Sequence, residues 1–359
     1  MLSFLRPTLR YIRPSKNLTH KSTQTAEQGD PMEDIQCAIV GYGGIAAFHA
    51  DAIEQVEGAR IKTVVGRRQE PTEAFARKRR AESWTIDYSE MLKDDGIDAV
   101  IITSPSELHF NQTSAAIESG KHVLVEIPMA MSHKGARTIA GQARKVDRKV
   151  MVAHTRRFDG VGGFTKEFIA SGKTGAIYQH HVMSCWLRHQ NIGWTGYQRS
   201  WTDDVLFHHG CHSVDFSQWT IDSDIRRVVG ELAPLNTVNG TSMDFSMLIR
   251  YANETIATIS LSYNAHQPFR ANRYSCENGS LEIEGKIVRF NGESVFETPE
   301  NPEDGVLVQD REFFDAIREN RQPSCNADDA LRALRPLQQV YDQALTAEGS
   351  KRYKRPWDL

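Results

Sequence analysis

Two patterns of apolar and polar residues divide the chain near residue 158. From Gln36, short apolar runs alternate with amphipathic or Ala-rich segments, and these runs are CAIVG, ARIKTVVG, DAVIITSP, KHVLVEIP and KVMVAH. Continuous apolar runs are typical of strands that are buried on both faces, and the intervening segments have helical length. The first half therefore predicts βαβ units in a doubly wound parallel sheet.

Glycine and proline support helices between these runs. Pro71 lies near the first turn of the segment EPTEAFARKR. Proline is tolerated there because backbone N–H groups in the first turn make no hydrogen bond within the helix. Gly120 follows the segment LHFNQTSAAIES at the C-cap position. Both positions agree with a helix after a strand.

The pattern changes after residue 158. The segments AIYQHHVMSCWLR, IRRVVGEL, DFSMLIRYA, TIATISLSYNA and GSLEIEGKIVRF show partial alternation, which predicts a mostly antiparallel open sheet with one covered face. A helix is predicted within DDVLFHHGCHSVDFSQW, and two more within DREFFDAIREN and DDALRALRPLQQVYDQALTAEG, which we expect to pack back on the first domain. The predicted fold class is α/β.

The length of 359 residues exceeds one ordinary core and indicates two domains. We place a leader over 1–33, a dinucleotide-binding domain over 34–157, a second α/β domain over 158–345 and a tail over 346–359. A net charge of −3, 40% apolar and 25% charged residues are typical of a soluble globular protein. This composition gives no reason to expect nucleic acid, and no apolar run is long enough for a membrane span. The five cysteines are widely spaced without a CxxC, which favours free thiols in a reducing compartment and no metal.

The first 30 residues carry five basic side chains before their first acid, Glu27, and they include an apolar stripe of helical spacing. An acid-free, Arg-containing amphipathic leader is typical of a mitochondrial transit peptide, so mitochondrial import is one expectation. Pro7 and Pro14 interrupt the helix. The alternatives are a disordered leader, or a true start at Met32, either of which leaves a cytoplasmic protein.

A glycine-rich loop follows the first predicted strand. Gly41, Gly43 and Ala46 fit G-x-G-x-x-A, with Gly44 and Ile45 between them at the start of a helix. The first glycine permits a tight turn, the second lets a pyrophosphate approach the backbone, and the small Ala46 keeps the helix close to the strand. In this βαβ context the motif predicts a dinucleotide.

The second strand ends in Gly66-Arg67-Arg68, where NAD-binding proteins usually carry an acid for the ribose 2′-hydroxyl. Two guanidinium groups would instead pair with a 2′-phosphate, so NADP is favoured over NAD. The alternative is that Arg67 and Arg68 are solvated surface charges.

The predicted helix of the second domain contains His208, His212 and Asp215, which share one face at helical spacing, with His209 within a turn of them. Imidazole suits the removal of a hydroxyl proton at neutral pH, and Asp215 could fix the tautomer of His212 by a hydrogen bond. Three alternatives stay open: satisfied structural histidines, a metal site lacking a recognisable third ligand, or a different histidine of the set as the base.

Arginine and aromatic residues crowd the same region. Arg156 and Arg199 are our candidates for a substrate carboxylate, since arginine pairs bidentately with carboxylates. Trp201 is a candidate wall for a flat ring. The alternatives are solvated or cofactor-facing arginines and an aromatic residue of the core.

The segments TSPSELH (103–109), SGKHVLVEIP (119–128) and HTRRF (154–158) resemble the glucose–fructose oxidoreductase/inositol dehydrogenase (Gfo/Idh/MocA) superfamily over about residues 34–345. The resemblance implies a Rossmann domain joined to an α/β domain whose open sheet often forms a homodimer contact. It also implies residues along the cofactor, towards its nicotinamide half, and an arginine near the cleft. The cofactor residues are Thr103, Ser104, Pro105, His109 and Glu126, and the arginine is Arg157.

Two departures from the family pattern concern proton transfer. Many members carry a lysine where this chain has Ile127, and an aspartate where it has His208. The segments EIPMA, HTRRF, RSWTDDVLFHHGCHSVD and LVQDREFFDAIREN look like a narrower branch, which oxidises the cyclic hemiacetal of an aromatic ring-cleavage product with NADP. In this interpretation a histidine replaces the lysine.

The sequence thus predicts an NADP-dependent dehydrogenase acting on a hydroxyl or cyclic hemiacetal of a carboxylated small molecule. Two other hypotheses remain: a sugar, polyol or dihydrodiol dehydrogenase, which needs no arginine clamp, and a non-catalytic NADP-binding regulator.

Overall fold

The computed structural model describes residues 34–192, 201, 204–237, 239–348 and 350–354. The predicted leader over residues 1–33 and the candidate Arg199 lie outside the described residues. The expectation of mitochondrial import therefore stays a prediction.

The first sheet has six parallel strands in the order β3-β2-β1-β4-β5-β6. The strands are β1 Ile35–Val40, β2 Ala59–Val65, β3 Ser83–Thr85, β4 Ala99–Ile102, β5 His122–Val125 and β6 Val150–Val152. The helices are α1 Gly44–Ile53, α2 Gln69–Lys78, α3 Tyr88–Leu92, α4 Ser106–Glu118 and α5 His133–Val146. The strand order reverses between β1 and β4, and a dinucleotide binds at such a switch point, outside the carboxyl ends of the strands.

The second sheet has eight strands in the order β14-β13-β12-β11-β7-β10-β9-β8, all antiparallel except the pair β7 and β10. They are β7 Ile177–Leu187, β8 Ile225–Leu232, β9 Asp244–Tyr251, β10 Ile256–Ser262, β11 Asn264–Cys276, β12 Gly279–Glu284, β13 Ile287–Phe290 and β14 Glu293–Glu297. The remaining helices are α6 Gly160–Ala170, α7 Cys211–Ile221, α8 Gly305–Arg318, α9 Ala327–Glu348 and α10 Ser350–Tyr353. The predicted fold class is confirmed.

Alternation along the central strands of the second sheet sets its two faces. In β10, Ala257, Ile259 and Leu261 are buried while the residues between them are partly exposed. The helical side of this sheet is therefore the covered one. Helix α8 packs against α1 of the first sheet, and α9 packs against α5, α7 and β8. The C-terminal helices thus join the two sheets.

The described cysteines are all free and buried. Among the described helices, none has both the length and the apolar character that a bilayer crossing requires.

Candidate active site

The loop after β1 has the shape that a pyrophosphate requires. Gly41 has φ +124°, and a Cβ there would lie 2.4 Å from Thr103 Oγ1, so only glycine fits. Nothing lies within 4 Å of a Cβ built on Gly43, which opens space above the backbone. Gly43 is the N-cap of α1 and offers no side-chain cap, so the N–H groups of the first turn, which includes Gly44 and Ile45, are available to an anion. These residues fit a dinucleotide.

The helix side of this loop is closed by packing. Ala46 is fully buried, which brings α1 close to the sheet as the motif predicts. The geometry of the loop therefore agrees with the motif that the sequence shows.

Arg67 and Arg68 are exposed and directly precede α2, at the carboxyl end of β2. Arg68 Nε donates to the hydroxyl of Tyr42, 3.3 Å away. A Cβ on Gly66 would lie 2.0 Å from Thr72 Oγ1 and 2.7 Å from the Tyr42 ring, so this turn also requires glycine. Two cationic side chains thus lie at the position where folds of this type contact the ribose of the dinucleotide.

The segment after β4 lies across the switch point from Gly41. Thr103 Oγ1 donates to the carbonyl of Val40 at 2.8 Å, while Ser104 is partly exposed and Pro105 is exposed. His109 is only 1% exposed, and its ring nitrogens lie 2.8 Å from the carbonyls of Ser104 and Pro128. The structure therefore places His109 behind the loop as a support, not at the surface that a dinucleotide would contact.

Sequence reasoning missed a buried cluster behind Glu126, at the end of β5. His49 of α1 lies between two carboxylates: Nδ1 is 2.8 Å from Asp310 Oδ2 of α8, and Nε2 is 3.1 Å from Glu126 Oε1. Burial by itself would lower the pKa of His49, but the two carboxylates outweigh it and raise the pKa to about 10. The one signal in the sequence was a histidine on the buried Ala-rich face of a helix.

The predicted histidine helix begins with a π-helical turn over Leu206–Gly210, which α7 continues. Gly210 N donates to the carbonyl of Val205 at 2.9 Å, and the rings of His208 and His209 stack with centroids 4.3 Å apart. Because a π turn holds an extra residue, simple α-helical spacing does not describe the relation of His208 to His212. Such turns occur frequently at functional sites.

The π turn depends on a close approach to the second sheet. A Cβ on Gly210 would lie 2.9 Å from Cζ of the buried Phe245 and 3.3 Å from the carbonyl of Val205. We expect Gly210→Ala to cost about 1–3 kcal/mol of unfolding free energy, because the ring or the turn must shift. Thermal unfolding measures this.

Gly163, within α6, is the matched control for this substitution. A Cβ there meets nothing within 4 Å, so Gly163→Ala should be neutral or stabilise by up to about 1 kcal/mol. Equal melting temperatures for the two variants would contradict the packing argument.

His209 is held by two hydrogen-bond partners. Its Nδ1 lies 2.5 Å from the hydroxyl of Tyr263 and 3.2 Å from Nη1 of Arg188. Because arginine only donates, Nδ1 is the acceptor and the proton of the neutral ring is on Nε2. Burial, with the charges of His208 and Arg188, holds the pKa of His209 well below 6.5. His209 is therefore a hydrogen-bond donor at neutral pH.

His212 contacts a histidine that the sequence interpretation passed over, His154, whose ring lies edge-on to it with centroids 5.8 Å apart. His212 Nδ1 is buried and has no hydrogen-bond partner among the described residues, whereas the side chain as a whole is partly exposed. Burial, with the charges of His154 and Arg156, holds the pKa of His212 well below 6.5. A neutral ring that can accept a proton results.

The predicted hydrogen bond from Asp215 to His212 is not formed, and that prediction was wrong. Asp215 is 1% exposed and pairs bidentately with Arg157, through Nε at 2.8 Å and Nη2 at 2.5 Å. Arg157 also donates to the carbonyl of Ser324 at 3.1 Å and lies 3.5 Å from Asp329. Arg157 is thus committed to protein groups here, and Nδ1 of His154 lies 3.6 Å from Oδ2 of Asp215.

Arg156 is in the opposite situation to Arg157. It has no hydrogen bond or ion pair with any residue in the described ranges, although it is partly buried beside His209 and His212. Burial lowers its pKa and the charge of Arg270 adds to this, while the nearby carboxylate of Asp159, which already caps α6 by accepting from Gly162 N–H, acts in the opposite direction. A desolvated guanidinium without a hydrogen-bonded anion is costly, and a bound carboxylate would lower that cost.

Trp201 lies at the same place, with the guanidinium of Arg188 5.7 Å from its ring centroid. Trp186 and Tyr263 complete an aromatic wall around His209. Within the described part of the chain, no three His, Cys, Asp or Glu side chains gather as metal ligands would.

Comparison with known proteins places this fold and site in a family. Residues 35–154 match the family described as "Oxidoreductase family, NAD-binding Rossmann fold", and residues 163–288 match "Bacterial oxidoreductases, C-terminal". The 4-carboxy-2-hydroxymuconate-6-semialdehyde dehydrogenase of Sphingobium sp. strain SYK-6 is 32% identical over 313 residues, which cover 84% of this chain and 96% of that protein. The chain belongs to the Gfo/Idh/MocA oxidoreductase family.

Other similar proteins are more distant in sequence. The scyllo-inositol 2-dehydrogenase (NAD(+)) of Bacillus subtilis strain 168 is 27% identical over 56% of this chain and 58% of its own length. A solved oxidoreductase of Agrobacterium radiobacter, in complex with NAD+, L-tartaric acid and magnesium, has the same fold, with a TM-score of 0.79 at 16% identity over 88% of this chain and 97% of that chain. The resemblance drawn from the sequence motifs is confirmed, and the protein is an oxidoreductase of this family.

Proposed function

We propose that this protein is an NADP-dependent dehydrogenase that oxidises a hydroxyl or cyclic hemiacetal of a carboxylated, aromatic-derived small molecule. The observation that carries the proposal is Arg156, a partly buried guanidinium without a described partner beside two histidines. A substrate carboxylate on Arg156 would hold the adjacent hydroxyl near the imidazoles. The similarity to the Sphingobium enzyme supports the same substrate class.

The proposed step balances with the residues present. The loop at Gly41 and Gly43 would hold the pyrophosphate of the coenzyme, and a bound nicotinamide would supply the acceptor for the hydride of the hydroxyl-bearing carbon. His212 accepts the hydroxyl proton on its exposed nitrogen, and the hydroxyl becomes a carbonyl, which makes a lactone from a cyclic hemiacetal. His209, with its proton on Nε2, donates a hydrogen bond to the substrate and orients it. Ile127 takes no part, since it has no proton to exchange.

The preference for NADP rests on Arg67 and Arg68. We expect Arg67→Ser with Arg68→Ser to raise the Kd of NADP+ roughly 10- to 100-fold while the Kd of NAD+ stays unchanged, because only NADP+ carries the 2′-phosphate that a guanidinium pairs with. Calorimetric titration with each coenzyme measures the two constants.

The matched control is Arg77→Ser, on α2, the helix that follows the two arginines, where Arg77 pairs with Glu73 at 2.8 Å on the surface. Its coenzyme affinities should equal those of the wild type. An equal loss of NAD+ and NADP+ affinity in the double variant would contradict specific recognition of the phosphate.

The experiment that tests the function is an absorbance screen at the reduced-nicotinamide band. The purified protein is mixed with NADP+ or NAD+ and with carboxylated cyclic hemiacetals, hydroxy acids or neutral polyols. Reduction of NADP+ with carboxylated substrates supports the proposal. Turnover of neutral polyols alone would favour the inositol dehydrogenase-like alternative, which the Bacillus subtilis relative supports. Coenzyme binding without turnover of any class would favour a regulator.

We also propose a homodimer through the outer face of the second sheet. Large apolar side chains are exposed there, namely Met183, Leu187, Val229, Leu248 and Phe269. A second copy would remove this apolar surface from water. Light scattering on the purified protein tests the oligomeric state.

A further inference from the structure

The buried cluster of His49, Glu126 and Asp310 links three elements that are distant in sequence. His49 lies on the helix that begins at the pyrophosphate loop, Glu126 follows β5, and Asp310 belongs to α8. His49 is 1% exposed and Asp310 is completely buried. The side chain of Glu126 keeps 17% exposure, so it is the part of the cluster that reaches the surface.

Both oxygens of Glu126 have fixed partners. Oε1 lies 3.1 Å from His49 Nε2, and Oε2 accepts from the backbone N–H of Ile127 at 3.2 Å. Burial by itself would raise the pKa of Glu126, but the hydrogen bond and the charge of His49 outweigh it and the pKa lies below its usual value. The carboxylate is therefore ionised and held in one orientation at neutral pH.

The charge of the cluster does not cancel. Burial raises the pKa of Asp310, while the charge and hydrogen bond of His49 oppose that shift. With Asp310 ionised, one imidazolium between two carboxylates leaves one negative charge, and the exposed part of the cluster is the Glu126 carboxylate. The other charged or titratable groups that act on this carboxylate are His109, on α4, and His154, after β6. His154 is buried with a lowered pKa, so it adds no positive charge at neutral pH.

In a doubly wound sheet the second half of a dinucleotide lies outside the carboxyl ends of the strands beyond the switch point, which here are β4, β5 and β6. Glu126 stands at the end of β5. The oxidised nicotinamide ring carries a positive charge and the reduced ring does not. A fixed carboxylate at this end of the sheet therefore interacts differently with the two forms.

We propose that His49 and Asp310 are positioning residues that hold the Glu126 carboxylate towards the nicotinamide half of the coenzyme, so that the protein binds the oxidised form preferentially over the reduced form. This inference rests on the coenzyme part of the proposed function. It assigns His49 a role that goes beyond tying α1 to α8.

The test is the ratio of the Kd of NADPH to the Kd of NADP+, from fluorescence and calorimetric titrations. Glu126→Gln should raise the Kd of NADP+ roughly ten-fold and leave that of NADPH within about two-fold. A ten-fold change lies between the effects expected for one charge pair in water and in the low dielectric of a protein interior. His49→Gln should shift the ratio in the same direction. Because His49 acts through Glu126, the double variant should shift it no further than Glu126→Gln alone.

His49→Gln leaves two buried carboxylates facing each other, so His49→Gln with Asp310→Asn provides a second variant that removes the buried charge together with its partner. The control is His181→Gln on the outer face of β7, where His181 hydrogen-bonds Thr258 at 2.7 Å. It should leave the ratio unchanged.

A purely structural role predicts a different result, namely lower melting temperatures for the His49 variants with an unchanged coenzyme ratio, and that result would overturn the inference. If the wild type oxidises a carboxylated substrate while the ratio is the same in every variant, the inference fails and the proposed function stands. If the ratio shifts as described but no substrate is oxidised, the inference stands and the proposed function fails.

Discussion

Replacing His212 with glutamine should lower kcat about a thousand-fold, the middle of the range that a positioned general base contributes. Glutamine keeps much of the side-chain volume but cannot take the hydroxyl proton. Coenzyme affinity should not change, because His212 lies on α7 and not on the first sheet. Steady-state turnover together with a coenzyme titration checks both expectations.

The pH dependence gives a second measurement of the same assignment. Since the pKa of His212 lies well below 6.5, the base is already deprotonated at neutral pH. We expect kcat/KM to be constant between pH 7 and pH 8. It should decrease only when the pH is lowered into the acid range, where the ring of His212 gains a proton. If kcat/KM already decreased as the pH was lowered from 8 to 7, that result would contradict a neutral His212.

His208→Gln is the comparison that separates the candidate bases. His208 stacks on His209 in the π turn, so its loss should disturb orientation and reduce kcat less than the loss of His212. A larger effect at His208 would transfer the role of base to that residue. His209→Gln should act mainly through the loss of a donor, because Arg188 already occupies its Nδ1.

Arg156→Met should raise the KM for a carboxylated substrate about a hundred-fold, since a charge-assisted bidentate pair contributes roughly 1.5–3 kcal/mol. The change also removes a partly buried charge that has no hydrogen bond or ion pair in the described ranges and only the more distant attraction of Asp159, so we expect the melting temperature of the substrate-free protein to stay level or rise. This combination of weaker substrate binding and undiminished stability distinguishes a binding arginine from a structural one.

Two further variants serve as controls for Arg156→Met. Arg156→Lys keeps the charge without the planar fork and should recover only part of the affinity. Arg226→Met removes a surface arginine that pairs with Glu254 at 2.6 Å and should leave KM unchanged. An unchanged KM in Arg156→Met, with neutral polyols as good substrates, would refute carboxylate recognition at this position.

The sequence predicted elements where local pattern decides structure. Continuous apolar runs such as that of β4, which is buried at every position, identified the strands of the first sheet. Strand β11 escaped prediction because most of its residues are exposed and polar, so it carries no alternation, although it is the longest strand of the second sheet. Its pairing with β7 and β12 defines it, and pairing is not a property of one segment.

The candidate site also has a part that the sequence predicted and a part that it did not. The glycine-rich loop could be predicted because its motif follows from the backbone conformation of a tight turn, with φ +124° at Gly41, whereas the contact that excludes a side chain there, Thr103, was known only from the structure. The histidine cluster was located, but its internal arrangement was not, because a π turn over Leu206–Gly210 changes the helical phase and places Gly210 against Phe245 of β9. The stretch that includes the predicted Arg199 lies outside the described residues, and its assignment stays a prediction.

The sequence by itself therefore determined the alternation of strands and helices, the coenzyme loop and the presence of imidazoles and guanidiniums near one cleft. Only the tertiary structure decided which charged side chains form ion pairs with each other. Asp215 pairs with Arg157, 58 positions away, and His49 pairs with Asp310, 261 positions away. Local pattern depends on the conformation of neighbouring residues, whereas the partner of a buried charge depends on which elements the folded chain brings together, and burial makes that choice decisive by removing water as an alternative partner.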